Sequence, residues 1–180
     1  MSSLTPSRYP LPRPRVTGID VLYLDFDGVL HPQDVRMDGG VPYVRSPPGH
    51  GILENAPVLQ GLLTPYPNLN IVLSTTWVRR FGYRGAVRYL HPELQRRCIG
   101  ATWHRGMGRY RFDFMTRGEQ VLDDVKRRGS ISWLAIDDNT EGWGVAESSH
   151  LIATDPILGL GQSAAIEKLA AALTRFAEHS

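Results

Sequence analysis

The sequence predicts an α/β domain built on a central, mainly parallel sheet. Two observations carry that expectation. Short apolar runs of strand character alternate with segments of helical periodicity, which implies parallel strands joined by right-handed crossovers. Several of those runs also end in polar residues, and open sheets of this class hold their ligands just outside the carboxyl ends of the strands.

Residues 1–18 are rich in Ser, Pro and Arg, with Pro6, Pro10, Pro12 and Pro14 close together, and read as a flexible or polyproline-like tail ahead of one domain over 19–180. Ile19 to Leu24 is the first strand and runs into Asp25-Phe26-Asp27-Gly28. Asp38-Gly39-Gly40 separates Val35-Arg36-Met37 from Val41-Pro42-Tyr43-Val44, the pattern of a short hairpin flap. Asn55 is a candidate cap for a helix with Pro57 in its first turn and Leu59, Leu62 and Leu63 on one face. Asn70 to Leu73 is a second strand, ending at Ser74-Thr75-Thr76. A helix is expected from Val78 to Leu90, weakened by Gly82 and Gly85. Cys98 to Ala101 is a short strand. Arg117 to Arg128 is a helix with Val121, Leu122 and Val125 inward and Gly129 as its stop. Ile131 to Ile136 is a buried strand ending at Asp137-Asp138, and His150 to Ala153 is the last strand. The final helix begins near Ser163 and carries Ile166, Leu169, Ala170, Leu173 and Phe176 as its apolar stripe. Gly159-Leu160-Gly161-Gln162-Ser163-Ala164 imitates a dinucleotide-binding fingerprint, but no strand comes after its helix; it reads as a turn.

Composition narrows the setting. At 180 residues the chain suits one domain with a proper core. No apolar stretch approaches a membrane span, and the N-terminus lacks the apolar region of a secretory signal. Cys98 is the single cysteine, so no internal disulfide forms, and a reducing, cytoplasmic setting is expected. A net charge of +2 makes no general case for nucleic acid. Lys126 and Lys168 are the only lysines, however, and arginine is the cation that meets phosphate bidentately.

The polar residues fall at four places on one sheet edge: Asp25 and Asp27 after the first strand, Ser74 and Thr75 after the second, Arg117 at a helix start, and Asp137 and Asp138 after a later strand. A D-x-D-G tetrapeptide alone is weak evidence, since acidic turns often end strands; the four together in this order are not. The order resembles the haloacid dehalogenase (HAD) superfamily. Leu22-Tyr23-Leu24-Asp25-Phe26-Asp27-Gly28-Val29-Leu30 looks like its first motif, Ile71-Val72-Leu73-Ser74-Thr75 its second, Arg117 its third and Leu134-Ala135-Ile136-Asp137-Asp138 its fourth. Within the superfamily the chain is similar to small HAD domains associated with RNA repair and to the phosphatase half of phage polynucleotide kinase-phosphatase. The resemblance implies a single Rossmann-like three-layer domain and a phosphatase. Asp25 would be the nucleophile that forms an aspartyl-phosphate, and Asp27 the general acid and base. Ser74, with Thr75 as runner-up, and Arg117 would bind phosphate. Mg²⁺ would be held by Asp25, the backbone carbonyl of Asp27 and the pair Asp137 and Asp138, of which strand-terminal Asp137 is favoured as the direct ligand and Asp138 is the alternative. Arg109, Arg111 and Lys126 are lesser candidates for the third motif.

The intervals between motifs leave no room for a separate cap domain, which implies an open site and a phosphorylated substrate, either a small molecule or a nucleic-acid end. His104-Arg105-Gly106-Met107-Gly108-Arg109-Tyr110-Arg111 is a candidate patch for a phosphate-rich substrate, against the plainer reading of an exposed loop. His31 reads as a solvated loop residue or a substrate contact. Trp77, Trp103, Trp133 and Trp143 read as packing. A noncatalytic phosphate-binding module is the competing class, and intact Asp25 and Asp27 argue against it. A receiver-type signalling domain would place these acids in the reverse order.

Overall fold

A computed structural model describes residues 14–107 and 112–177. Its core is a five-stranded parallel sheet in the order β5-β4-β1-β6-β7, formed by β1 (Val21–Leu24), β4 (Asn70–Leu73), β5 (Cys98–Ala101), β6 (Trp133–Asp137) and β7 (Leu151–Ala153). β2 (Asp34–Asp38) and β3 (Val41–Ser46) form a separate antiparallel hairpin, the expected flap. The helices are α1 (Ala56–Leu63), α2 (Trp77–Val87), α3 (Pro92–Arg97), α4 (Arg117–Arg128) and α5 (Ser163–Ala177).

Both faces of the sheet are covered, as the apolar runs require. Side chains alternate along a strand. Leu22 and Leu24 of β1 join Ile71, Leu73, Leu134 and Ile136 in the larger core, with Leu59 and Leu63 of α1, Trp77 of α2, Leu94 of α3 and Leu169 and Leu173 of α5. Val21 and Tyr23 join Val72 and Ala135 on the other face, against Val121 of α4. The result is a three-layer α/β domain.

The boundaries differ from expectation in instructive places. β1 begins at Val21 rather than Ile19, and β6 at Trp133 rather than Ile131, whose side chain is 70% exposed. The expected helix over 78–90 ends at Val87 and is kinked at Gly82, whose φ of 73° leaves the helical region. Its continuation is a distinct helix, α3, which opens with Pro92 after an extended His91; proline fits the first helical turn because it lacks an N–H to satisfy. Asn55 makes no side-chain cap; its amide donates instead to the Leu158 carbonyl at 3.2 Å.

The start of α4 is the best-built helix end. Thr116 and Glu119 form a reciprocal capping box, and Gly129 ends the helix at φ 58°. Its inward face differs from expectation. Leu122 is half-buried, while Asp124 and Arg128 are buried with Val121. Asp124 takes bonds from Tyr23 Oη at 3.0 Å, Arg127 Nη2 at 2.9 Å and Arg128 Nε at 2.9 Å, so its charge is fully paired. Arg128 Nη1 also donates to the Val16 carbonyl at 2.9 Å, tying the segment before β1 to α4. Residues 1–13 of the expected tail lie outside the described residues, as do Gly108, Arg109, Tyr110 and Arg111.

Candidate active site

The alternation that divides the core also assembles the site. Asp25 follows Val21 and Tyr23 in register, Asp137 follows Trp133 and Ala135, and Ser74 follows Val72, so all three continue onto the α4 face at the carboxyl edge. Arg117, the first residue of α4, therefore meets them. Its Nη2 donates to Asp25 Oδ2 at 2.9 Å, its Nε reaches Asp137 Oδ2 at 3.0 Å, and its Nη1 donates to the Ser74 carbonyl at 2.7 Å. Arg117 thus locks the ends of three neighbouring strands to one another.

The two acids it touches are nearly fully buried. Asp25 Oδ1 also accepts from the Phe26 N–H at 2.7 Å, and Asp137 Oδ1 from the Asn139 N–H at 2.9 Å. Burial pushes the Asp25 carboxyl above its ordinary range, with Arg117 opposing and Asp27 adding to the rise. Burial and the charge of Asp25 push Asp137 up likewise, and burial raises Asp138. For Arg117, burial works against the charge, but Asp25 and Asp137 outweigh it and the net direction is upward. One guanidinium therefore serves a site with an excess of negative charge.

Asp25, Asp137 and Asp138 offer carboxylate oxygens within 4.8 Å of one another. Hard oxygen donors, crowded and held against their own repulsion, fit a divalent cation such as Mg²⁺. Asp138 has the freest carboxylate of the three. It lines a cavity of about 510 Å³ together with Asp25, Asp27, Gln33, Thr76, Arg117 and Asn139. Gly28 makes room for it: a Cβ there would lie 2.3 Å from Asp138 Oδ2, and the φ of 73° at Gly28 already disfavours any side chain.

Asp27 stands across this cavity and is the more exposed of the first pair. Its Oδ1 accepts two bonds, from Trp77 Nε1 at 2.9 Å and from His31 Nε2 at 3.0 Å. His31 is fully buried, and its Nδ1 accepts from the Leu53 N–H at 3.4 Å, which sets Nε2 as the protonated nitrogen. The structure thus corrects both readings of His31, as a solvated loop residue and as a substrate contact. Trp77 does pack as expected, edge-on to Phe26, but it also holds Asp27. The only sequence signal for either role is nearness to the first two motifs.

The second motif is divided. Ser74 Oγ is buried without a partner, and Thr75 Oγ1 accepts from the Trp77 N–H at 3.4 Å. Thr76, which sequence reasoning does not single out, is the member that lines the cavity. Arg105 is exposed. The hairpin acid Asp34 is paired with Arg36 and Arg45, away from this cluster.

The chemistry that such a site can perform is nucleophilic attack by a buried carboxylate, with a second carboxylate on the same cavity and a cluster of Asp25, Asp137 and Asp138 that can hold a cation. Comparison with known proteins supplies the family. None of the curated proteins and none of the solved structures compared matches the chain. One family model does, over residues 21–165, described as the HAD domain in Swiss Army Knife RNA repair proteins. That span runs from the first residue of β1 into α5 and takes in every residue of the site. With the four motifs on one edge of the sheet, the chain belongs to the family of HAD domains of Swiss Army Knife RNA repair proteins.

Proposed function

We propose that the protein is a Mg²⁺-dependent phosphomonoesterase working through an aspartyl-phosphate. The observation that carries this reading is the pair Asp25 and Asp27: one carboxylate is buried and clamped by Arg117, the other is more open and held by one oxygen only.

The division of labour follows from those bonds. Asp25 is the nucleophile; the Phe26 N–H and Arg117 favour its ionised form against the cost of burial. Its carboxylate oxygen attacks phosphorus as the bond to the leaving oxygen breaks. Asp27 keeps Oδ1 fixed by Trp77 and His31, which leaves Oδ2 for proton transfer. Protonated Asp27 donates to the leaving oxygen, then as a carboxylate takes a proton from the water that hydrolyses the intermediate. Ser74, with its unpartnered hydroxyl, offers a donor to a phosphoryl oxygen. Arg117 neutralises charge on the transferring group. Asp25 and Asp138 would hold Mg²⁺, with the Asp27 carbonyl, while Asp137 orients Arg117 and supports the cluster. When bound, the cation offsets the negative charge of phosphate and carboxylates together.

The substrate class follows from openness and kinship. β2–β3 is a flap of one hairpin, and no cap domain stands between the described elements and the cavity. That opening admits the terminal phosphate of a large molecule, and membership in a family of RNA repair proteins favours a nucleic-acid end.

The experiment is hydrolysis of end-phosphorylated oligonucleotides and of p-nitrophenyl phosphate with Mg²⁺ or EDTA, by wild type and by Asp25→Asn. Turnover that needs Mg²⁺ and falls by a factor on the order of 10³ or more in the variant is expected. Near-normal turnover by Asp25→Asn would sink the covalent mechanism.

A further inference from the structure

The catalytic cavity has a neighbouring groove beside α2. Thr76, on its rim, also borders a groove of about 470 Å³ lined by Arg79, Arg80 and Trp103. Trp103 in turn borders a second groove of about 470 Å³, where Arg84, His104 and Arg127 stand. The three spaces follow one another through shared lining residues, Thr76 and then Trp103, from the Asp25 edge to the β5 side of the domain.

The chemistry along this path is of one kind. Arg79, Arg80 and Arg84 are exposed on α2. Arg79 is paired with Asp113. Among the described residues no ion pair involves Arg80 or Arg84, and no acidic side chain lines the first groove. The second groove has one acid, Asp124, and that carboxylate is fully buried and taken up by Arg127, Arg128 and Tyr23. Two N–H groups are left over beside the arginines. Trp103 Nε1 and His104 Nε2 are buried and unpartnered. His104 Nδ1 accepts from the Gly106 N–H at 3.1 Å, so Nε2 is the donor nitrogen. Unpaired cations and a half-buried aromatic beside a phosphate site match a polyanion with planar groups.

We infer that this path binds the single strand of nucleic acid that carries the terminal phosphate, with Arg80 and Arg84 meeting backbone phosphates and Trp103 the bases between them. The inference rests on the phosphomonoesterase reading and extends it past the scissile bond. A single strand fits better than a duplex, because a base must be unpaired to lie on an aromatic side chain. Arg80 and Arg84 stand on α2, on either side of its kink at Gly82, which suits one backbone rather than two. Neither Arg80 nor Arg84 lines the catalytic cavity, so they select the substrate without touching the reacting atoms.

The test compares wild type with the Arg80→Ala/Arg84→Ala double variant on four substrates with Mg²⁺. These are a phosphorylated single strand of about ten nucleotides, the same strand in a duplex, a phosphoserine peptide and p-nitrophenyl phosphate. The expected result is a rise in KM for the single strand of about 10-fold or more, with a shallower loss of affinity between about 50 and 200 mM salt. The kinetics of p-nitrophenyl phosphate stay within about twofold of wild type, since the Asp25 chemistry is untouched. Trp103→Ala weakens the single strand further while its kinetics on p-nitrophenyl phosphate and its thermal midpoint stay close to those of wild type, which a purely structural loss would not show. An unchanged KM for the single strand, an equal rise for the peptide or the duplex, or an equal loss on the small ester would overturn the inference. If no phosphomonoester is hydrolysed, the phosphatase reading fails by itself. Fluorescence anisotropy of the labelled strand then decides the groove: weaker binding by the double variant upholds it, and equal binding rejects it.

Discussion

The indole N–H of Trp77 donates to Asp27 Oδ1 at 2.9 Å, across a sequence separation of 50 residues. This bond joins the start of α2 to the turn after β1, and with His31 it leaves only one Asp27 oxygen facing the cavity. Trp77→Phe keeps the ring packing against Phe26 and Tyr89 but removes the donor. The proposed acid-base role predicts a fall in kcat of roughly 10- to 100-fold, the usual effect of losing a group that orients a reactive one, with KM little changed. A rise in KM at constant kcat would instead make Trp77 a substrate contact.

Gly28 is the place where the site tolerates no side chain. A methyl group there meets Asp138 at 2.3 Å and requires a positive φ that alanine avoids. Gly28→Ala is expected to weaken Mg²⁺ dependence and turnover together, because the added carbon displaces Asp138. Strain of this kind costs on the order of 1–3 kcal/mol, so a lowered thermal midpoint should accompany it. Full activity with an unchanged melting curve would show that Asp138 can move aside without consequence.

The two acids after β6 are expected to behave differently. Asp137 gives both oxygens to the Asn139 N–H and Arg117, whereas Asp138 opens on the cavity. Asp137→Asn, which acts on the cation through its neighbours, should lower Mg²⁺ affinity by about 10- to 100-fold. Asp138→Asn should lower it further. Titration of activity against Mg²⁺ measures both. The reverse order would make Asp137 the direct ligand.

Asp124 offers a test of the fold away from the cavity. Its carboxylate is fully buried and pairs Arg127, Arg128 and the Tyr23 hydroxyl. Removing one partner of a buried ionic network leaves uncompensated charge, so Asp124→Ala should destabilise the domain by about 3–5 kcal/mol. Urea unfolding followed by tryptophan fluorescence is the measurement, and a loss below about 1 kcal/mol, the range of an exposed pair, would contradict the buried network.

Cys98 gives a prediction in pH. Burial pushes its thiol up to about 12, and its Sγ sits 3.3 Å from the Leu94 carbonyl. The reactive thiolate is therefore scarce at neutral pH. Alkylation at pH 8 should be slow in the native protein and rapid in urea. Fast native labelling would mean that β5 opens readily at the sheet edge.

The sequence by itself determined the alternation of strands and helices, and with it the carriers of Asp25, Asp27, Ser74, Thr75, Arg117, Asp137 and Asp138. This was legible because apolar runs such as Val21–Leu24 and the Ile71, Val72 and Leu73 stretch must be buried on both faces, and the residues just after each run must emerge at the sheet edge. Thr116 and Glu119 wrote the start of α4 just as plainly, through local bonds between residues three apart. The family resemblance rested on the same local motifs. Only the tertiary structure decided how they are joined. The strand order β5-β4-β1-β6-β7 brings β6 beside β1, so one Arg117 spans Asp25 and Asp137. The turn after β1 buries His31 against Asp27, and α2 delivers Trp77 to the same oxygen. The burial of Asp124 depends on Tyr23, 101 residues away in β1. The reason is the range of the interactions. Period and capping act within a few residues and leave a trace in the sequence. Whether a histidine is solvated or holds a carboxylate depends on which distant segment packs over it.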